Sequence, residues 1–363
     1  MNSEIFIRNE INLMEHRAPI IPTNIKKLID NGYKVYVESS SHRIYKDEEY
    51  EYYGAIITNK PWYDPKFENA LIVGIKEIPH IELLYKHKHL YFSHAYKNQI
   101  GSQEILSEFS KSSSILYDFE YFLDENNKRI ISFGYYAGIV GGVLGIKQFL
   151  HKKQYHDTNQ KNITNLNYWK SEEWMMEEIQ EIKKYNQENK ITIVIIGSMN
   201  GNCSKGVVNI LNKLNLPYSF LDKTVNKTNL KEYDIVYNCI LLNGEFNEIW
   251  FSKEMEFNKD LVIVDISCDY SKKNNPIQIY DKETTWVQPV FSYNDKIDII
   301  AVNNLPSLLP THSSAYFSEK CVELLIQLIQ GDPNYYWEKN KEIFWNKIHE
   351  LSNMIPRYNW MLL

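Results

Sequence analysis

ITIVIIGSMNGNCSKGVVNILNKL, residues 191–214, sets an apolar β-branched run, a glycine-containing loop and a helical run in immediate succession. An Ile/Val run bounded by polar residues reads as a buried strand. A loop leading from such a strand into a helix gathers free backbone N–H groups over the helix N-terminus, where they attract anions. Gly197, Gly201 and Gly206 permit tight turns and would aim those groups at a pyrophosphate. The spacing departs from G-x-G-x-x-G, so on the loop alone a packing role for the glycines stays open. An acidic residue about 20 positions further on should hold a ribose hydroxyl. Asp222, closing the run YSFLD at 218–222, fills that place and favours NAD over NADP. Further apolar runs at 234–240 (DIVYNCI), 261–267 (LVIVDIS) and 298–305 (DIIAVNNL) continue the alternation of an open α/β sheet.

The first third carries the chemistry. ALIVGI (70–75) leads to Lys76 and Glu77, LYF (90–92) to His94 and Lys97, and ILYDF (115–119) to Glu120. Strands of an open α/β sheet deliver ligand-binding groups at their carboxyl ends, so these residues are expected to share one crevice. Read singly, each is as well explained by a surface ion pair or a packed histidine.

The chain has 363 residues, enough for about two domains. Its formal charge of -6, with no long basic run, disfavours nucleic acid or an acidic membrane as partner and leaves small molecules. The start MNSEIFIRNEINLMEHR is too polar for a signal peptide, and NWMLL is no peroxisomal signal, so a cytoplasmic location is expected. The cysteines at 203, 239, 268 and 321 lack metal-type spacing, so neither a metal site nor an obligatory disulfide is expected. FGYYAGIVGGVLGIKQFL (133–150) is short for a membrane span and reads as a buried interdomain helix in which Gly138, Gly141, Gly142 and Gly145, on helical spacings, admit a second backbone. Residues 152–166 read as a surface loop, and 172–186 as one charged helix.

Seven segments together carry a resemblance: RAPIIPTNIKKLIDNGYKVYVE (17–38), GIKEIP (74–79), HAYKNQ (94–99), LYDFE (116–120), KRIISFGYYAG (128–138), VDISCDYSKKNNPI (264–277) and NLPSLLP (304–310). In this order they are similar to the lysine-forming, NAD-dependent saccharopine dehydrogenases, relatives of alanine dehydrogenase. The resemblance implies an α/β protein of two Rossmann-like doubly wound domains around a central cleft. Residues 1–138 with 316–363 would form the substrate domain, and 139–315 the NAD domain. It also implies oxidation of the secondary amine of saccharopine to an imine, which water hydrolyses to lysine and 2-oxoglutarate, and the reverse reductive coupling. The protein would be a monomer or small homo-oligomer.

Matching positions make Lys76 the general base and His94 the acid/base that assists imine hydrolysis. A lysine acting as base near neutral pH must fall from ~10.4 to about 7–8, roughly 4 kcal/mol of differential stabilisation. Arg17, Lys97 and Arg129 would take the substrate carboxylates, with Gln99, Phe133, Ser267 and Asp269 around the substrate and Glu77 and Glu120 tuning charge. Toward NAD the resemblance implies Lys128, Gly197, Gly201, Asn202, Asp222, Leu241, Ile266, Val302, Asn303, Asn304 and Leu305. Cys203 and Cys239 match a cysteine pair that lies close in relatives; a disulfide across the cofactor site is one alternative there and two buried thiols the other. Asp118 is read as structural.

Three departures stand out. The glycine loop has an extra residue, with Asn202 where the family has Arg. Lys128 replaces an Arg, and Asn303 and Asn304 replace an Asp-His pair. Besides saccharopine dehydrogenase, they leave open an opine-type dehydrogenase joining another amino acid and 2-oxo acid, and a nonenzymatic ligand-sensing paralogue.

Overall fold

The computed structural model describes residues 4–97, 101–155, 158, 160–221, 227–240, 242, 248–270, 272, 274–329 and 335–354. The chain divides into two compact units, residues 1–132 with 311–363 and residues 133–310.

The first unit is built on β1 (Glu4–Ile7), β2 (Lys34–Glu38), β3 (Ile56–Thr58), β4 (Leu71–Val73), β5 (Lys88–Tyr91) and β6 (Ile115–Asp118). The central strands are apolar on both faces: Ile5, Phe6 and Ile7, like Leu71, Ile72 and Val73, are all buried. Helices cover both sides of a parallel sheet, so alternation gives way to continuous β-branched and aromatic runs. Every pairing is parallel, in the order β3-β2-β1-β4-β5-β6. That order reverses between β1 and β4, where Ile7 lies opposite Val73. Residues leaving these two strands therefore emerge side by side at the switch point, where doubly wound sheets bind ligands.

Between the strands run α1 (Pro22–Asp30), α2 (Asp47–Tyr52) and α3 (Ser102–Lys111). Pro22 opens α1 where its missing N–H costs nothing. Gly32, at φ +88, stops it: the Gly32 N–H donates to Ile29 O and the Tyr33 N–H to Leu28 O, a left-handed cap.

The second unit carries β7 (Ile193–Ile196), β8 (Ser219–Leu221), β9 (Ile235–Asn238), β10 (Leu261–Asp265), β11 (Phe291–Ser292) and β12 (Ile297–Ile300). Its order is β11-β12-β10-β9-β7-β8, parallel except for β11. Ile193 and Ile195 face one apolar cluster while Val194 and Ile196 face another, so this sheet too is buried on both sides. Its switch point lies between β7 and β9. Each unit is thus a Rossmann-like doubly wound sheet.

The helices here are α4 (Gly134–Gln154), α5 (Glu172–Glu177), α6 (Ile182–Asn189) and α7 (Asn202–Lys213). Where α4 meets α7 the backbones touch: a Cβ at Gly138 would overlap the Cys203 carbonyl, and one at Gly206 the Tyr135 carbonyl. Gly206 is therefore a packing residue inside α7 rather than part of a phosphate-binding turn. No described helix is long and apolar enough to cross a membrane.

Three details differ from the sequence reading. Helix α4 runs on to Gln154, because Gln148 and Lys152 find buried partners in Asp298 at 2.9 and 3.0 Å. Residues 160–166 form the expected loop, but it is pinned at two points: Ile163 and Leu166 are buried, and the Leu166 N–H donates to Trp286 O at 2.7 Å. The charged stretch forms two helices, with turn bonds Ile179 N–H to Met176 O and Gln180 N–H to Glu177 O between them.

The chain returns to the first unit through α8 (Pro310–Ile329) and α9 (Tyr335–Met354). Ser314 Oγ accepts from the Ala18 N–H and Ser318 Oγ from the Ile21 N–H. From α9 the Asn340 amide bonds both the N–H and the C=O of Asp118 at the end of β6. Trp337 packs edge-on against Tyr117 and Phe122. The unit boundaries at 132/133 and 310/311 fall a few residues before the expected 138 and 316, because the first turn of α4 packs on α7 and Ser314 bonds to Ala18.

Candidate active site

At the switch point of the first unit, Arg8 and Glu10 follow β1, and Gly74, Ile75 and Lys76 follow β4. Arg8 and Glu10 are buried and form an ion pair of 3.1 Å. Glu10 Oε1 accepts from the Ile75 N–H at 2.6 Å and Oε2 from the Lys76 N–H at 3.0 Å. The Arg8 guanidinium donates to the Lys76 carbonyl. Lys76 itself is half-buried and Glu77 exposed.

Arg17 lies buried in a bidentate pair with Glu15: Nε to Oε1 is 2.7 Å and Nη2 to Oε2 is 2.6 Å. Burial alone would raise Glu15. The Arg17 charge and hydrogen bonds, joined by the charge of Lys76, outweigh it and hold the carboxyl below its usual range. Lys76, Glu15 and Arg17 thus belong to one electrostatic cluster.

The neighbouring strands supply the next groups. The ladder continues past the strand ends, with the Gly74 N–H donating to Leu90 O and the Phe92 N–H to Ile75 O, so His94 leaves the sheet beside Lys76. His94 adopts φ +55, a left-handed conformation that non-glycine residues rarely hold and that concentrates at functional sites. Ser93 secures it: its Oγ accepts from the Ala95 N–H at 3.2 Å and donates to Asp118 Oδ2 at 2.6 Å. Burial, with the Glu120 charge beside it, pushes Asp118 up to about 6. Glu120 is buried after β6, with Oε1 2.9 Å from Arg129 and Oε2 3.7 Å from His94 Nδ1. Lys97 closes the turn Ala95–Lys97; Gln99 lies outside the described residues. The structure therefore gathers Lys76, His94, Arg17, Glu120 and Arg129 at one sheet edge, together with Arg8, Glu10, Glu15, Ser93 and Asp118. Reading the sequence missed the first four of these and left Asp118 as structural. The run R-N-E directly after an apolar strand was the available signal for Arg8 and Glu10.

In the second unit Gly197 links β7 to the loop at φ +148, where a Cβ would come within 3.2 Å of Cys239. Gly201 is the N-cap of α7, whose first residue is Asn202, and as a glycine it offers no side chain to bond the N–H groups there. A left-handed glycine at the switch point and a glycine N-cap fit a dinucleotide pyrophosphate. Cys203 and Cys239 are free thiols; their mutual hydrogen bond, with burial, pushes Cys203 well above its usual range. Asp265, at the end of β10, accepts from Asn238 Nδ2 (2.9 Å), Tyr280 Oη (2.5 Å) and the Cys268 N–H. The following turn holds Ile266, whose side chain meets Gly141, then Ser267, which donates to Ile240 O, and Asp269, paired with Lys272 at 2.6 Å. Val302 and Leu305 are buried and Asn303 exposed, while Asn304 Oδ1 accepts from Trp286 Nε1 at 2.9 Å. Phe133 is buried at the start of α4. Lys128, on an exposed turn of the first unit, bonds Asp124 through its backbone. Asp222 and Leu241 lie outside the described residues. Among the described residues no group of His, Cys, Asp and Glu could hold a metal ion.

Two family models match the chain: the alanine dehydrogenase/PNT N-terminal domain over residues 6–140 and the corresponding C-terminal domain over residues 155–348. The chain belongs to the alanine dehydrogenase/PNT family and is an enzyme of the NAD-dependent oxidoreductases. Within that family it groups with the L-lysine-forming saccharopine dehydrogenases. It is 30% identical to that of Yarrowia lipolytica over 360 residues, covering 94% of this chain and 96% of the relative. With that of Candida glabrata the identity is also 30%, covering 95% and 96%. A solved L-alanine dehydrogenase superposes with a TM-score of 0.66 at 15% identity, covering 96% of this chain and 99% of that one, and shows the shared fold.

Proposed function

We propose that this chain oxidises saccharopine with NAD at its secondary amine, that water then releases lysine and 2-oxoglutarate, and that it catalyses the reverse coupling. The observation that carries this reading is the placement of Lys76 and His94 at the ends of adjacent parallel strands, each set among buried carboxylates.

Bound NAD would supply the two-electron acceptor. In the second unit it would be held by the Gly197–Asn202 loop and by Ile266, Val302, Asn303, Asn304 and Leu305; Lys128, Asp222 and Leu241 are proposed toward NAD by their match to the family alone. In oxidation Lys76 takes the proton from the substrate amine. His94 then assists water addition to the imine carbon and breakdown to amine and ketone, its Nδ1 facing Glu120. Arg17, Lys97, Gln99 and Arg129 engage the carboxylates, with Glu77 tuning the charge; Phe133, Ser267 and Asp269 are proposed as substrate residues by their match to the family alone. Glu15 and Glu120 grip Arg17 and Arg129 from one side, fixing the guanidinium planes for bidentate recognition. We propose a cytoplasmic monomer or small homo-oligomer, which fractionation and sedimentation test.

Two variants separate the roles. Lys76→Met should lower kcat for saccharopine oxidation by about 10²–10⁴-fold, the usual worth of a positioned acid or base. His94→Gln should slow the hydrolytic half more than the redox half in single-turnover traces. Wild-type kcat in either variant removes that residue from the mechanism. The Asn303–Asn304 departure favours a second reading, a different amino acid or 2-oxo acid in the coupling, which a substrate panel tests.

A further inference from the structure

We propose that Glu10 and Arg8 are positioning residues that set the placement of Lys76 through its peptide groups, with Gly74 making room for them. The inference rests on the reading of Lys76 as the general base. Along β4 the ladder to β1 ends where the Arg8 N–H donates to Val73 O. Beyond that point the N–H groups of Ile75 and Lys76 have no strand beside them on the β1 side, and buried N–H groups require an acceptor. Glu10 reaches 65 and 66 residues along the chain to bond both, at 2.6 and 3.0 Å. Its charge is balanced by Arg8 at 3.1 Å, whose guanidinium also donates to the Lys76 carbonyl. Lys76 is therefore held at its N–H and its C=O by one buried ion pair.

Gly74 completes the device. A Cβ there would overlap the Arg8 guanidinium at Nε, Cζ and Nη2. Arg8 is also placed by the Tyr91 ring, 5.8 Å away. A buried ion pair is poor value as a stabiliser compared with apolar side chains of similar volume. What this pair does is fix a backbone direction: the Lys76 side chain departs from a Cα whose flanking peptides cannot rotate. A reacting group misplaced by about 1 Å loses on the order of 100-fold in rate.

The test compares Glu10→Gln and Gly74→Ala with Lys76→Met in the full-length enzyme. Glu10→Gln sets an amide NH2 against a backbone N–H and removes the charge facing Arg8. Gly74→Ala displaces Arg8 without changing any charge. We expect each to lower kcat for saccharopine oxidation about 100-fold, with KM changed less than about three-fold and NADH affinity and far-UV circular dichroism as in the wild type. A kcat within about three-fold of wild type in Gly74→Ala, while Lys76→Met is inactive, overturns the clamp. So does a loss of NADH affinity or dichroism in step with kcat, which marks general unfolding. An active Lys76→Met refutes instead the reading of Lys76 as base, and is told apart because that variant leaves Glu10, Arg8 and Gly74 intact.

Discussion

The contact between α4 and α7 makes opposite predictions for two glycines on the same seam. A Cβ at Gly206 would overlap the Tyr135 carbonyl and crowd the Ile139 nitrogen, atoms of a helix backbone that cannot swing aside. A Cβ at Gly142 would sit 3.4 Å from Ile210 Cβ and 3.5 Å from Val207 Cα, ordinary van der Waals contact. Replacing a mid-helix glycine with alanine gains about 1 kcal/mol, and overpacking a close-fitted interior costs typically 1–3 kcal/mol, more where the obstacle is backbone. Gly206→Ala should therefore destabilise by about 1–2 kcal/mol net, and Gly142→Ala should be neutral or stabilise by up to about 1 kcal/mol. For a unit of this size about 1 kcal/mol moves the melting point about 2–4 °C, so the variants should melt several degrees apart. Thermal unfolding followed by near-UV circular dichroism reads the difference. Gly206→Ala melting at or above Gly142→Ala would refute the claim that these backbones touch.

Removing Glu15 alone should cost about 3–5 kcal/mol by leaving Arg17 buried without its carboxylate, whereas Glu15→Leu with Arg17→Met should be close to neutral in urea unfolding; equal costs would contradict the pair geometry. Burial, aided by the His87 and Arg8 charges, holds His89 well below 6.5. Only the unfolded chain takes up that proton as pH falls, so His89 contributes stability above 6.5 that is lost below it. His89→Leu should narrow the gap between urea midpoints at about pH 5 and about pH 7, and an unchanged gap would sink the assignment. Asp118 has the opposite sign: burial and the Glu120 charge raise it from 3.8 to about 6 in the folded state. The folded chain thus binds the extra proton between those values, and the contribution of this carboxyl falls as pH rises through them. Asp118→Asn should flatten that part of the stability profile, and a steeper profile would show the sign to be wrong.

The strands were legible because parallel sheets covered on both faces need unbroken apolar runs, and runs such as IVII and LVIVD have no other economical reading. Lys76, His94 and Glu120 were legible as polar residues closing those runs. Arg8 and Glu10 were less so: the R-N-E run marks them as polar residues leaving a strand, but their significance lies in bonds to residues some 65 positions away. Gly206 misled in the other direction: next to a glycine loop it reads as part of the anion cradle, and only the Tyr135 carbonyl against it reveals a packing role. The split between α5 and α6 escaped for a related reason. Met175, Ile179 and Ile182 keep a helical spacing across the break and are all buried, while the hydrogen bonds beneath them tighten to turns.

NADH absorbance tests the reaction itself directly. Purified enzyme is offered lysine with 2-oxoglutarate, alternative amino acids, alternative 2-oxo acids, and NADPH in place of NADH. The site predicts NADH consumption with lysine and 2-oxoglutarate and little with any other pair, since a pocket built to bond each carboxylate rejects substrates that lack one. Turnover confined to a different pair, or none with any pair while NADH still binds, would contradict it.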